Sequence, residues 1–266
     1  MQKTILLSGS TDGIGLETAR MLLPLGHRVL LHGRNPAKLS ALEKNLSANM
    51  DKGLMETYVA DLSKMAEVEG LADEVRSKHE RIDVLINNAG IFHTPVTVTA
   101  DGLDIRFAVN TIAPYLLTRK LLPILAADGR IVNTSSAAQS PVEPDALLGR
   151  KSLSDFEAYA QSKLALNMWS CHMALENPGP AIIAVNPGSM LGSKMVREGF
   201  GVDGGDIRIG AKILARAALD DDFSSASGQY FDNDAGRFAP PHSDALDAEK
   251  NRKIVRLIEK ILSDPV

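Results

Sequence analysis

Short, almost uninterrupted apolar runs recur along this 266-residue chain at residues 4–8, 29–32, 55–59, 83–87, 130–134 and 181–185. A run of four or five residues with no polar face must be covered on both sides, which is the condition of a strand in a parallel sheet between two helical layers. Helical patterns separate the runs. Ile14, Met21, Leu22 and Leu25 recur on one stripe, and Gly26 stands where a C-cap would close that helix. Pro36 suits the first turn of a second helix reaching about Met50. Ser63 is the expected cap of a third, residues 103–125 read as one long helix containing Asn110 and Pro114, and residues 156–175 as another. Such alternation predicts a doubly wound α/β fold with right-handed crossovers.

Ligands in open sheets of this kind bind outside the carboxyl ends of the strands. Here each run delivers glycine or polar residues at that end: Gly9 to Gly15 after the first, Arg34 after the second, and Asp61 after the third. Asn87 to Gly90, Ser136 and Pro187-Gly188 follow the remaining three. One rim therefore collects the chemistry. No repeat, low-complexity tract or linker divides the chain, and 44% hydrophobic residues suffice for a single domain over residues 1–266.

At the first of these turns, glycines let the backbone approach a pyrophosphate, while the following helix N-terminus offers unpaired N–H groups to the anion. The spacing Gly9-x-x-x-Gly13-x-Gly15 departs from G-x-G-x-x-G, and no Gly-Lys-Ser/Thr follows, which argues against a phosphotransferase P-loop. A dinucleotide on that turn would bring an oxidisable carbon toward Tyr159 and Lys163, which lie four apart on one helical face. A phenol titrates near pH ~10, so proton transfer at neutral pH calls for a neighbouring cation, and Lys163 can supply it.

Composition narrows the class. A net charge of −4 argues against nucleic-acid binding, and the lone Cys171 excludes an intramolecular disulfide. His27, His32, His79, His93, His172 and His242 show no paired ligand spacing, so no metal site is expected, and His93 reads as a loop histidine. No apolar run approaches a membrane span and no signal sequence precedes the first strand, so a cytoplasmic location is the expectation. Asp220 to Asp222 read as a solvated helix end, and residues 208–216 as a surface helix. Ile254, Leu257, Ile258 and Ile261 mark a C-terminal helix that docks either on this domain or on a second subunit of a homo-oligomer.

Taken in order, Gly9-x-x-x-Gly13-Ile-Gly15, Asp61-Leu62, Asn87-Asn-Ala-Gly90, Asn110, Ile131-Val-Asn-Thr-Ser-Ser136, Tyr159-x-x-x-Lys163 and Pro187-Gly188 resemble the short-chain dehydrogenase/reductase family over nearly the whole chain. The 23-residue spacing from Ser136 to Tyr159, and Ser189 to Ser193 after Pro-Gly, are similar to its retinol dehydrogenase and WW-domain oxidoreductase branch. The resemblance implies a Rossmann-like domain with a mainly parallel seven-stranded sheet, and NAD(P)-dependent interconversion of an alcohol and a carbonyl. It implies Tyr159 as general acid/base and Lys163 as the group that lowers its pKa and holds the nicotinamide ribose. Ser136, rather than its neighbour Ser135, would bind the substrate oxygen, and Asn110 would kink its helix and hold a relay water. Gly9, Thr11, Asp12, Gly13, Ile14, Gly15, Asp61, Leu62, Asn88, Ala89, Gly90, Tyr159, Lys163, Pro187, Gly188 and Met190 would contact the cofactor, Met190 through its backbone.

Cofactor choice falls at residues 32–35. No Asp or Glu occurs from Leu30 to Leu42 to receive ribose hydroxyls, whereas Arg34, with Asn35 beside it, can meet a 2′-phosphate. NADP(H) is therefore expected ahead of NAD(H). Glycines within residues 189–210 predict a mobile lid over the nicotinamide end. The partner is a small carbonyl or alcohol substrate. A protein of the same fold that senses the dinucleotide or acts as a scaffold without turnover is the alternative, which loss of Tyr159 or Lys163 would favour.

Overall fold

The computed structural model describes residues 1–47 and 51–263. The strands are β1 (Thr4–Leu7), β2 (Arg28–Gly33), β3 (Met55–Val59), β4 (Ile82–Asn87), β5 (Leu125–Thr134), β6 (Ala181–Asn186), β7 (Tyr230–Asp232) and β8 (Arg237–Ala239). They form one sheet in the order β3-β2-β1-β4-β5-β6-β7-β8. The first seven run parallel, and β8 returns antiparallel to β7 at the edge. The expected parallel seven-stranded sheet is thus present with an eighth strand added.

The helices are α1 (Gly13–Leu22), α2 (Pro36–Ser47), α3 (Met65–Lys78), α4 (Ile105–Phe107), α5 (Ala113–Leu121), α6 (Pro144–Leu147), α7 (Asp155–Glu176), α8 (Lys194–Phe200), α9 (Arg208–Leu219) and α10 (Ala248–Ser263). Alternate strand residues divide the core. Leu6, Leu30, Leu85, Ile131 and Ile182 face α3, α5, α7 and α10, while Ile5, Leu7, Val29, Ile86 and Ile183 face α1, α2 and α9. Both sides of the sheet being apolar is why the runs lacked a polar face. The surface helix expected over residues 208–216 is α9, with one face buried through Ile213, Leu214 and Ala217. Helix α10 docks on its own chain, burying Ile254, Val255 and Ile258, with Tyr115 Oη donating to Glu259 at 2.9 Å. Among the described residues, no helix is long and apolar enough to cross a membrane.

Two local expectations need correction. Residues 103–125 are not one helix: α4 is followed by a π turn at Ala108–Ile112, then α5, a 3-10 turn at Leu122–Ile124, and β5 from Leu125. Pro114 has no N–H to return to Asn110, and Ala113 N–H reaches back to Ala108 O, which makes the turn around Asn110 a π turn. Second, Ser63 does not cap α3. Its N–H and Oγ both go to Asp61 Oδ1, at 3.0 and 2.8 Å, and the cap position falls to Lys64. The helix beginning at Pro36 is described to Ser47, and its expected end at about Met50 lies outside the described residues.

Candidate active site

A cavity of about 460 Å³ runs along the carboxyl ends of the strands. At one end lies the turn from β1 to α1. Gly9 and Gly13 have φ of +68° and +58°, a region that side chains disfavour. Gly15 lies beneath them: a Cβ there would sit 2.1 Å from Gly9 O and 2.5 Å from Asn88 Nδ2. Asn88 clamps this turn, with Nδ2 donating to Ser8 O and Gly9 O at 3.0 and 3.1 Å, while Asn88 and Ala89 N–H both donate to Ser8 Oγ at 3.0 Å. Gly15→Ala is expected to cost about 1–3 kcal/mol of stability through overpacking and to abolish dinucleotide binding, read by urea unfolding and calorimetry. Asp12 caps α1, its Oδ1 accepting from Gly13 N–H at 2.8 Å.

His32 is the larger surprise. The ring is 2% exposed and bridges the turn to β3, with Nδ1 accepting Gly9 N–H at 3.2 Å and Nε2 3.0 Å from Ala60 O. The carbonyl can only accept, so Nε2 carries the proton. Burial pushes the imidazole down to about 4. The unfolded chain therefore binds the extra proton first, so this contribution is fully present above about pH 6.5 and is lost as pH falls toward 4. Between pH 7 and pH 5 the loss is about 2 kcal/mol. His32→Asn should lose that much less unfolding free energy over the same interval, measured in urea.

At the end of β2, Arg34, Asn35 and Lys38 line the cavity and are exposed, and Asn35 Oδ1 caps α2 by accepting Lys38 N–H at 3.1 Å. Sequence reading missed Lys38, because a lysine in a helical turn carries no signal of its own. Asp61 and Leu62 line the adjoining wall, with Thr11, Ile14 and Gly90.

The opposite end holds Tyr159 and Lys163. Lys163 is 3% exposed and its Nζ donates to Thr134 O at 2.7 Å, 5.7 Å from the Tyr159 ring centroid. Burial lowers the ammonium to about 8. The Tyr159 phenol is not lowered as expected. Burial raises it, and a hydrogen bond with Ser136 opposes that rise. The Ser135 Oγ is buried on the cavity wall. Thr134 Oγ1 is buried there too, and neither oxygen has a partner among the described residues.

Five expected residues are not on the cavity wall among those described: Gly15, Asn110, Ser136, Gly188 and Met190. Gly15 lies under the turn, and Ser136 Oγ accepts Ala138 N–H at 3.1 Å. Asn110, 1% exposed, holds Ile91 from behind. Its Oδ1 accepts Ile91 N–H and its Nδ2 donates to Ile91 O, both at 2.9 Å, and to Ser162 Oγ at 3.0 Å. Both side-chain donors are used, so of this side chain only the remaining lone pair of Oδ1 is left for a water. After Pro187, which does line the cavity, Gly188 (φ +122°) and Met190 (φ +52°) shape an exposed turn anchored by Ser189 N–H and Oγ on Asp234 at 2.8 and 2.6 Å.

The stretch expected as a lid contains α8, which brings Ser193, Lys194, Met195 and Glu198 to the cavity. Gly199 packs against Phe92, where a Cβ would lie 2.5 Å from the ring, and Phe92 meets Tyr159 edge-on at a centroid distance of 5.3 Å. His93, expected as an ordinary loop histidine, also lines the cavity. Among the described residues there is no cluster suited to a metal.

A glycine turn at one end of the rim and a Tyr-Lys-Ser group at the other are the parts that a nucleotide-dependent oxidoreductase site would need. The comparisons agree: the family model for short chain dehydrogenase matches residues 3–200, and the chain belongs to that family of NAD(P)-dependent oxidoreductases. Retinol dehydrogenase 12 of Mus musculus is 31% identical over 244 residues, 86% of this chain and 77% of that protein. For two further relatives the match takes in 60% of their length. A crystal structure of a protein from Mycobacterium Paratuberculosis is similar over 98% of this chain and 93% of its own, with TM-score 0.79 and 28% identity. The structure of landomycin C-6 ketoreductase LanV with bound NADP and rabelomycin covers 87% of this chain and 94% of its own, with TM-score 0.66 and 25% identity.

Proposed function

We propose that this protein is an NADP-dependent reductase and dehydrogenase of carbonyl and alcohol substrates, with Tyr159 as general acid/base. The observation that carries the reading is the placement of Tyr159, with the buried Lys163 Nζ 5.7 Å from its ring centroid, at the end of a glycine-lined cavity whose far end offers Arg34 and Lys38 and no carboxylate from Leu30 to Leu42.

The residues present fit a dinucleotide. The Gly9 and Gly13 backbone, with side chains excluded at Gly15, leaves room for a pyrophosphate, and the unpartnered Thr134 and Ser135 hydroxyls are orphaned donors along the wall. Arg34 and Lys38 would hold a 2′-phosphate, the first through its planar fork and the second as a point charge. Lys163 would hold the ribose hydroxyls. When bound, the nicotinamide supplies or accepts the hydride. The chain's own residues move the proton: Tyr159 gives its phenolic proton to the substrate oxygen in reduction, Ser136 fixes that oxygen, and Lys163 places positive charge near the phenolate that results. A phenol that burial keeps protonated carries the proton that reduction consumes.

The relatives' names support the substrate class, since they include retinol and polyprenol dehydrogenases. A panel of aldehydes, ketones and alcohols followed at the nicotinamide absorbance band, with NADPH or NADP⁺ and with NADH or NAD⁺, tests the reading. NADPH-dependent loss of absorbance with carbonyls is expected. Cofactor binding without turnover of any member would overturn it.

A further inference from the structure

The cavity wall contains a polar side chain that proton transfer and cofactor binding leave unused. His93 follows Gly90 by three residues and lines the cavity beside Phe92, with its side chain 58% exposed. Its Nδ1 lies 2.7 Å from Asp155 Oδ2. An ionised carboxylate only accepts, so the proton sits on Nδ1. Asp155 is itself held, because its other oxygen accepts from Arg106 Nη1. Arg106 is 1% exposed and is fixed in turn by Asp104, with Nε donating to Oδ1 at 2.9 Å and Nη2 to Oδ2 at 2.6 Å. The hydrogen bond from His93, followed by that from Arg106, keeps the Asp155 carboxyl below the usual carboxylate range. A buried guanidinium and two carboxylates thus orient one imidazole at the cavity wall.

Its Nε2 has no partner among the described residues. With the proton on Nδ1, a neutral ring accepts a hydrogen bond at Nε2 and a protonated ring donates one. A hydroxyl can answer either state, whereas a hydrocarbon can answer neither. Position along the site is also defined. Asp155 opens α7 and Tyr159 lies four residues later, a rise of about 6 Å, with Phe92 edge-on to the Tyr159 ring. Ile91, Phe92, Val109 and Met195 give the wall an apolar part, beside Ser193, Lys194 and Glu198 from the chain after β6. A ligand reaching from Tyr159 to His93 therefore carries an oxygen at each end of a body that can lie on the apolar part.

We propose that His93 is a substrate-specificity residue, whose Nε2 binds a hydroxyl or phenol carried several bonds from the reacting carbonyl, so that the preferred substrates are hydroxylated ketones and aldehydes. This rests on the reading of the cavity as a dinucleotide and carbonyl site. Asp155 is a positioning residue that acts through His93.

The probes are benzylacetone and its para-hydroxy derivative, a pair that differs only in the distal oxygen. Calorimetry on the protein saturated with NADP⁺, which cannot reduce either ketone, should show the hydroxylated ketone binding about tenfold tighter, the worth of one hydrogen bond. In His93→Leu the ratio of the two affinities should fall to about one, and in Asp155→Asn to an intermediate value. His93 stands on an exposed loop, and a merely structural role for it would shift both ketones together and leave the ratio intact. Equal affinities in the unmodified protein, no measurable binding of either ketone, or a preference that survives His93→Leu would overturn the proposal. Turnover of both ketones with NADPH, measured in parallel, tests the oxidoreductase reading separately.

Discussion

Tyr159→Phe is expected to lower kcat for carbonyl reduction by about 10²–10⁴-fold, the range for removal of a positioned acid, while NADP affinity stays within about twofold. The ring keeps its edge-on contact with Phe92, and only the hydroxyl is removed. Lys163→Ala should behave differently. It removes a buried ammonium held by Thr134 O beside the phenol, so kcat and cofactor affinity should both fall. Steady-state kinetics paired with calorimetry separates the two variants. Wild-type turnover in Tyr159→Phe would remove the tyrosine from the chemistry.

Arg34→Ala is expected to weaken NADP binding by about 10- to 100-fold, the worth of a hydrogen bond to a charged group, and to change NAD binding little. Both Arg34 and Lys38 line the cavity from the exposed end of β2, and no Asp or Glu occurs from Leu30 to Leu42 to receive ribose hydroxyls or repel the phosphate. Lys38→Ala should lose less, because its single charge lacks the bidentate fork, and the double variant should bind the two dinucleotides about equally. NAD bound as tightly as NADP by the unmodified protein would contradict this assignment.

Most of the sheet was legible because its strands are buried on both faces, and continuous apolar runs carry that information locally. The six runs fall within β1 to β6 to within a residue at most ends, although β5 begins five residues before its apolar segment. Strands β7 and β8 have three residues each, too few to show any period, so their existence follows only from the pairing of β7 with β6 and of β8 with β7. The break near Asn110 was written in Pro114, whose missing N–H shifts the neighbouring bond to an i→i+5 turn.

The candidate site divides along the same line. The glycine turn, Tyr159, Lys163 and Arg34 stand at strand ends or within one helical turn of each other, so their roles could be inferred from order along the chain. His32 became more than a strand residue through bonds to Gly9 and Ala60, 23 and 28 positions away. His93 acquired an orientation from Asp155, 62 positions on. Lys194, Met195 and Glu198 reach the cavity because the chain after β6 folds back over it as α8. None of these placements has a signature shorter than the tertiary fold itself.

The central claim is hydride transfer between nicotinamide and a carbonyl carbon at the Tyr159 end of the cavity. NADPH carrying deuterium at the transferable position of its nicotinamide ring, incubated with a ketone that the protein consumes, tests it most directly by mass spectrometry of the product. The account predicts an alcohol heavier by one deuterium on the former carbonyl carbon, formed by the unmodified protein and lost in Tyr159→Phe. Alcohol formed without deuterium, or labelled alcohol formed equally well by Tyr159→Phe, would contradict it.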